Sequence, residues 1–265
     1  MTFGAPHLHF PRLDSTNTRA RELAAEGAPH GTIVTAAEQT EGRGRQGRTW
    51  SAPPGKALLY SAIVRPLDER HLLLPLAVPL AVCEAAEELA GGLALGGESA
   101  PENFRCGVKW PNDVQVEGRK LAGVLIEARP QDGWAVVGIG LNLTITPEEF
   151  PPDLRDKAVS IFGFDEGGQG ESRRSLPAVA QTGLTLSPLT AAEVLSRHLA
   201  HWVEEDTDTV LGAWRKRDAL RGREVAWDGG SGVADGVDDR GYLLVRTPGG
   251  DRIAVGAGEV HLTRA

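Results

Sequence analysis

Hydrophobic and polar positions follow distinct rhythms along this chain. From Thr18 to Glu26 the spacing is helical, and Gly27 stops the helix. The helix starts behind Asp14-Ser15-Thr16-Asn17, a dense cluster of N-cap formers, with Ser15 or Thr16 as the cap. Two β-rich runs follow, Thr32 to Ala37 and Ala57 to Val64, the second ended by Arg65-Pro66. His71 to Ala90 is an apolar, alanine-rich helix whose Pro75 and Pro79 predict an irregular first part. Val114 and Val116, the turn at Glu117-Gly118 and the β-rich run after Lys120 predict a hairpin. Trp134 to Leu141 adds a strand ending at Asn142, so three consecutive strands form an antiparallel meander. Thr190 to Arg217 returns to helical spacing with Thr190 as a cap. Between these elements, Gly91 to Pro101 reads as a loop, and residues 163–188, rich in Gly, Ser, Gln and Pro, as an insertion or mobile loop.

From Gly222 the rhythm changes. Short strands at Glu224–Trp227, Gly232–Asp235, Tyr242–Arg246 and Asp251–Val255 alternate with Gly- and Asp-rich turns, the pattern of a small β-barrel. The chain therefore divides into a main α+β domain at 1–220, a mixed or antiparallel sheet flanked by helices, and a small C-terminal barrel at 221–265.

Length and composition agree with that division: 265 residues make one large domain plus a small appendage. No run of about 18 apolar residues is present to span a membrane. Met1 to Pro11 lacks the basic and apolar regions of a signal peptide. Cys83 and Cys106, the two thiols, suit a reducing cytosol and read as buried small apolar groups, so the expected location is cytoplasmic. With 28 Lys plus Arg against 36 Asp plus Glu, the net charge of −8 argues against a general nucleic-acid binder. His198 and His201 share a helix face, but no third ligand completes a metal set, so no structural metal site is expected.

Against that acidic background, Gly42-Arg43-Gly44-Arg45-Gln46-Gly47-Arg48 carries three glycines and three arginines, closed by Trp50. Glycine lets backbone N–H groups approach a ligand, and arginine offers a planar fork that fits phosphate or carboxylate oxygens in pairs. The loop leaves the end of a strand, where ligand sites often sit. A second dense stretch runs Val108-Lys109-Trp110-Pro111-Asn112-Asp113-Val114 and on through Arg119-Lys120 to Glu127. An arginine-bearing glycine loop plus an isolated lysine beside a strand is what activation of a carboxylate by a nucleotide needs, because fixed cations stabilise the charge that builds on the phosphoryl oxygens. No Ser-His-Asp or Cys-His set competes, and no Walker-type Gly-Lys-Ser/Thr sequence is present.

Together, Asp14 through Asn17, Gln39 through Trp50, Lys109 through Lys120 and Gly138 through Asn142 resemble the biotin–protein ligases in order and spacing over about residues 10 to 145. The C-terminal barrel, preceded by Trp214 and Leu220-Arg221-Gly222-Arg223, resembles that family's terminal domain. The resemblance implies a catalytic domain of the class II aminoacyl-tRNA-synthetase type with an SH3-like barrel. It implies that biotin and MgATP give biotinyl-5′-adenylate and pyrophosphate, and that the adenylate acylates one lysine of the biotin carboxyl-carrier domain of a biotin-dependent carboxylase.

By position, Ser15, Thr16 and Asn17 match the segment that binds the biotin ring, with Gln39 in the same pocket and Gly123 behind it. Arg43, Gly44 and Arg45 match the loop that closes over the biotin carboxylate and the adenylate, and Arg48 is a phosphate contact. Lys120 matches the lysine at the carboxylate and α-phosphate; with Arg45 it forms the catalytic pair. Asn112 and Asp113 match the pair near the nucleotide and its Mg2+, and Asn142 ends a strand beside the nucleotide. Trp50 is either a loop-packing residue or an adenine contact. Trp110 reads as structural and Arg119 as solvated. With the first motif only 14 residues into the chain, the helix-turn-helix of ligase–repressor members is not expected, nor is DNA as a partner. The protein is expected to be a monomer or homodimer. Gly and Arg make up all but one residue of the loop, with no apolar anchor, which predicts a mobile lid before ligand arrives. Two other readings stand beside this one: lipoate or octanoyl transfer on the related fold, and a non-enzymatic nucleic-acid-binding regulatory module built on the arginine loop.

Overall fold

Strand β3 (Ala57–Val64) is buried along its whole length, and its alternation explains the layering around it. Leu58, Tyr60, Ala62 and Val64 face the main apolar core. On the opposite face Ile63 packs under a helix and Ala57 and Leu59 join a separate cluster, with polar Ser61 between them. A strand covered on both faces needs a helical layer on each side.

A computed structural model supplies those layers and describes residues 2–93, 104–163, 187–256 and 260–262. In chain order its elements are β1 (His7–Phe10), α1 (Thr16–Ala25), β2 (Ile33–Ala36), β3, α2 (Leu74–Leu93), β4 (Cys106–Lys109), β5 (Asp113–Val116), β6 (Arg119–Arg129), β7 (Trp134–Asn142), α3 (Pro188–Trp202), α4 (Thr207–Arg217), β8 (Glu224–Trp227), β9 (Gly230–Val237), β10 (Leu243–Arg246), β11 (Arg252–Val255) and β12 (Val260–Leu262). The first seven strands form one sheet in the order β1-β2-β3-β7-β6-β5-β4. Only the β1–β2 pair is parallel, so the sheet is mixed. The β5–β6–β7 meander expected from the sequence is present. Helix α1 lays Ala20 and Ala24 on one face, against Val34, Ile63 and Val136. Helices α2 and α3 cover the other, where Tyr60 Oη meets Ser196 Oγ at 3.0 Å and burial pushes the phenol pKa well up.

The last five strands make a small antiparallel sheet, β11-β10-β9-β8-β12, consistent with an SH3-like fold. It is tied to the first sheet directly at Trp110 and through the segment that leads into it. Trp110 Nε1 donates to Gly241 O at 3.0 Å, which supports the structural reading of that indole. Ala219 N donates to Val108 O, and Arg217 grips Glu87 with two bonds of 2.7 and 2.9 Å while also donating to Cys106 O. Beside that clamp Cys83 and Cys106 are free and buried, and the neighbouring Cys83 thiol together with burial pushes the Cys106 thiol up.

Several elements differ from the sequence expectation. Strand β1 was not expected: its outward side chains are histidines, His7 and His9, both bonded to Thr35 Oγ1, and its polar face masks a strand rhythm. Strands β4 and β12 were not expected either, and β12 has only three residues. The helix expected over 190–217 is two helices. Asp206 accepts from Thr209 N at 2.9 Å and caps a new start, while Ser187, not Thr190, caps the first. Pro75 lies in the first turn of α2, after a 3-10 turn at Glu69–Leu73, so the expected irregular start is found there. Helix α2 runs through Leu93, so the first three residues of the loop expected at 91–101 are helical and the rest lies outside the described residues, as the insertion expected at 163–188 does over 164–186. No helix among the described residues is long and apolar enough to cross a membrane.

Asp218 sits where the chain passes from α4 to the second sheet. Its Oδ1 accepts from Leu220 N, but Oδ2 is buried with no partner among the described residues, and burial raises its pKa. An acid with a raised folded-state pKa costs stability while ionised, and the cost disappears once pH falls below both its folded and unfolded values. Asp218→Asn is therefore expected to raise the urea midpoint at pH 8, with the gain shrinking steadily as pH is lowered into the range of carboxylate titration.

Candidate active site

The site begins where the sheet lacks side chains. On the α1 side of the sheet, Ser61, Gly138 and Leu125 form one cross-strand row, and Leu59, Gly140, Gly123 and Asp113 the next. A Cβ on Gly138 would stand 2.0 Å from Asn17 Oδ1, and one on Gly140 2.3 Å from the Trp50 ring. These two glycines let the first turn of α1 and the Trp50 indole lie directly on the sheet backbone.

The first wall is the start of α1. Ser15 occupies the N-cap position, yet its side chain makes no capping bond. The side chain of Gln39 does that work from the next strand end: its Oε1 accepts from Thr16 N at 2.7 Å and from Thr16 Oγ1 at 2.9 Å. Ser61 Oγ lies 2.6 Å from Asn17 Oδ1 and 2.8 Å from Thr16 Oγ1. Asn17 Nδ2 donates to Glu127 Oε2 at 2.9 Å. Ser15, Thr16 and Asn17 are all buried, so the polar network is fixed rather than solvated.

The second wall is the glycine–arginine loop. It folds as a closed turn: Gly44 N donates to Arg48 O, Trp50 N to Gly42 O, and Arg45–Gly47 forms a single 3-10 turn with Gln46 in the left-handed region. Arg43 reaches out of the loop to Glu127 at 3.1 Å. Trp50 packs with the small cluster around Leu59 and Phe150, which supports the loop-packing reading. Its Nε1 is nevertheless buried without a partner among the described residues, a donor left for a ligand or water.

The third wall comes from β5, β6 and the segment after β7. Lys120 Nζ lies 2.6 Å from Asp113 Oδ1 and 5.7 Å from the centre of the Trp50 ring. The main chain of Lys120 is tied on both sides, its N–H to Lys157 O and its C=O to Val159 N. Asn112 Nδ2 donates to Val124 O, and Asn142 Nδ2 to Val159 O, so both amides hold the rim in place.

These walls enclose one cavity of about 450 Å³. Every residue given a ligand-binding role from the sequence lines it: Ser15, Thr16 and Asn17; Gln39, Arg43, Gly44, Arg45, Arg48 and Trp50; Asn112, Asp113, Lys120, Gly123 and Asn142. Its lining carries six cations, Arg43, Arg45, Arg48, Lys109, Lys120 and Lys157, against the single carboxylate of Asp113. Such an excess, in a protein of net charge −8, suits a ligand with several negative charges. Mg2+ takes one or two carboxylates, several waters and substrate phosphates, so lone Asp113 fits a metal that arrives with a nucleotide. Among the described residues no group of three or more His, Cys, Asp or Glu could hold a metal by itself. His198 instead bonds Glu84 and Glu88 across to α2.

Sequence reasoning missed Ser61, Glu127 and Lys157. Ser61 had a signal, a small polar residue in an otherwise apolar strand. The other two depend on strand register and on how the 150–159 segment folds back.

Comparison with known proteins places this geometry. A family model described as the biotin/lipoate A/B protein ligase family matches residues 9–143, and one described as the biotin protein ligase C-terminal domain matches residues 222–262. The biotin–[acetyl-CoA-carboxylase] ligase of Mycobacterium tuberculosis is 33% identical over 260 residues, covering 94% of this chain and 86% of that protein. The bifunctional ligase/repressor BirA of Bacillus subtilis is 37% identical over 155 residues, 56% of this chain but 44% of that longer protein. Among solved structures, the biotin protein ligase of Aquifex aeolicus in complex with biotin and ATP superposes with a TM-score of 0.71 at 27% identity, covering 98% of this chain and 99% of that one.

The glycine rows give a direct stability test. Gly138→Ala is expected to cost about 1–3 kcal/mol in urea unfolding, as overpacking does. Gly212→Ala, where an added methyl meets nothing within 4 Å, is expected to stabilise helix α4 by about 0.5–1 kcal/mol.

Proposed function

We propose the reaction of this chain from one premise, that it belongs to the biotin/lipoate A/B protein ligase family: it activates biotin with ATP and transfers it to a lysine of a biotin carboxyl-carrier domain. In the first step a biotin carboxylate oxygen bonds to the α-phosphorus of ATP, the bond to the β-phosphate oxygen breaks, and pyrophosphate leaves. In the second, the carrier lysine amine attacks the acyl carbon of biotinyl-5′-AMP, an amide forms, AMP leaves and the amine loses a proton. The observation that carries this reading is the single cavity that joins the buried Ser15–Asn17 network to six cations.

The roles follow from position. The Thr16–Asn17–Ser61–Gln39 network offers fixed donors and acceptors to the polar ring of biotin. Lys120 and Arg45 stabilise the charge that develops between carboxylate and α-phosphate, and a low-dielectric cavity makes each such contact worth more than in water. Before ligand arrives Asp113 holds the Lys120 ammonium in place at 2.6 Å. Arg43, Gly44 and Arg48 belong to a lid that shields the mixed anhydride from hydrolysis. Trp50, Asn112 and Asn142 form the nucleotide end. Asp113 would hold a Mg2+ that comes with the phosphates, and the metal would there offset part of their charge.

We divide the chain at residue 220, supported by the second sheet beginning at Glu224. The match of residues 222–262 to a biotin protein ligase terminal domain favours biotin over lipoate or octanoate. Free Cys83 and Cys106 support a reducing, cytoplasmic setting.

Biotin-dependent exchange between ATP and pyrophosphate tests the reading, with lipoate as the competing acid. Biotin is the expected substrate, and exchange with lipoate alone would overturn it. Lys120→Ala is expected to lower the exchange rate by roughly 10²–10³-fold, as loss of one preorganised transition-state donor does. Arg45→Ala is expected to form the adenylate but release it, seen as free biotinyl-5′-AMP by mass spectrometry; intact exchange in Lys120→Ala would refute the role given to that lysine.

A further inference from the structure

Glu127 is absent from the cavity lining, yet it touches two groups that line it, Asn17 and Arg43, and a third, Arg21, beside them. It stands on β6 opposite Val136, one row beyond the Ser61–Gly138–Leu125 row, with its side chain 22% exposed. Asn17 Nδ2 donates to its Oε2 at 2.9 Å. Arg21, one turn further along α1, lies 3.3 Å from Oε1. Arg43 lies 3.1 Å from Oε1 and 3.3 Å from Oε2. One carboxylate thus ties the first two turns of α1 and the glycine–arginine loop to the central sheet.

We infer that Glu127 is a positioning residue that latches the loop to α1 and orients the Asn17 amide for the acid substrate. The inference rests on the proposed reading of the site. Two features of the geometry carry it. An ionised carboxylate only accepts hydrogen bonds, so the Asn17 NH2 must face it and Oδ1 must face Ser61. The amide cannot flip without setting two acceptors against each other. The loop's backbone bonds, Gly44 to Arg48 and Trp50 to Gly42, are internal, whereas the Arg43–Glu127 pair crosses to the sheet. Charge-assisted bonds of this kind are stronger than neutral ones, and the partial burial of Glu127 limits screening. The cavity-lining side chains that Glu127 holds directly, Asn17 and Arg43, lie at the proposed biotin end of the cavity.

Glu127→Gln, which keeps size and removes charge, separates this role from simple support of the fold. The expected result is a rise of about tenfold in KM for biotin, the worth of one charge-assisted hydrogen bond. KM for ATP and the exchange kcat are expected to stay within about twofold, the split that marks uniform binding rather than chemistry. In the ligand-free protein, amide hydrogen exchange at residues 42–48 is expected to speed up while exchange in β3 and β7 stays unchanged. The double variant Arg43→Ala/Glu127→Gln is expected to lose less biotin affinity than the sum of the two single losses, since both changes break one pair. Unchanged loop exchange and unchanged KM for biotin in Glu127→Gln would overturn the latch. So would a parallel loss of kcat, of ATP binding and of protection in β3, which marks general structural damage. A wild-type protein without biotin-dependent exchange would refute the ligase reading, while the ligand-free hydrogen-exchange result would still decide the latch.

Discussion

Gly138 and Gly140 leave two neighbouring places on the central sheet uncovered, and the rest of the site is arranged by what fills them. In a strand buried along both faces, apolar side chains at these positions would have completed the α1-side core that Ile63 and Val136 begin. Their absence admits Asn17 on one row and the Trp50 indole on the next. Close approach to backbone is what turns a helix start and a surface loop into opposite walls of a cavity. The polar network of buried Thr16, Asn17 and Ser61 with half-buried Gln39 is tolerable there because each member meets a partner at hydrogen-bonding distance.

Charge adds a second layer to this steric plan. The cations that line the cavity come from three separated places, the loop, the β4–β6 region and the segment around Lys157. Bringing like charges together costs free energy, which a bound polyanion offsets. Asp113 restrains Lys120 and Glu127 restrains Arg43. Each carboxylate lowers the cost of the unliganded state at one end of the cavity, so the two ends are held by different acids.

Much of this was legible in the sequence, and unevenly so. The loop, the α1 start, Asn112-Asp113 and Lys120 are dense local clusters, and every one of them meets in a single cavity. The β5–β6–β7 meander and β3 were legible because their β-rich runs are bounded by clear turns. Glu127 was hidden because its importance comes from its register opposite Val136 and from a helix 110 residues earlier in sequence. Strand β1 was hidden because histidines at its outward positions bond to Thr35 instead of packing on a core. Local propensity points to Ser15 or Thr16 as the cap; Ser15 does occupy the N-cap position, but the side-chain bond to the helix start comes from Gln39 in a distant turn.

The bond from Trp110 to the carbonyl of Gly241 has a consequence for how this chain could be taken apart. Trp110 is buried and lies two residues before Asn112. Cutting after residue 220 would bare an indole donor and the Leu73–Leu76 surface that Gly241 approaches. The small sheet thus serves as a buttress for the Asn112 end of the cavity. A minimal version of this protein, or a chimera that exchanges its terminal barrel, has to carry the 238–242 turn with it to keep that end in shape.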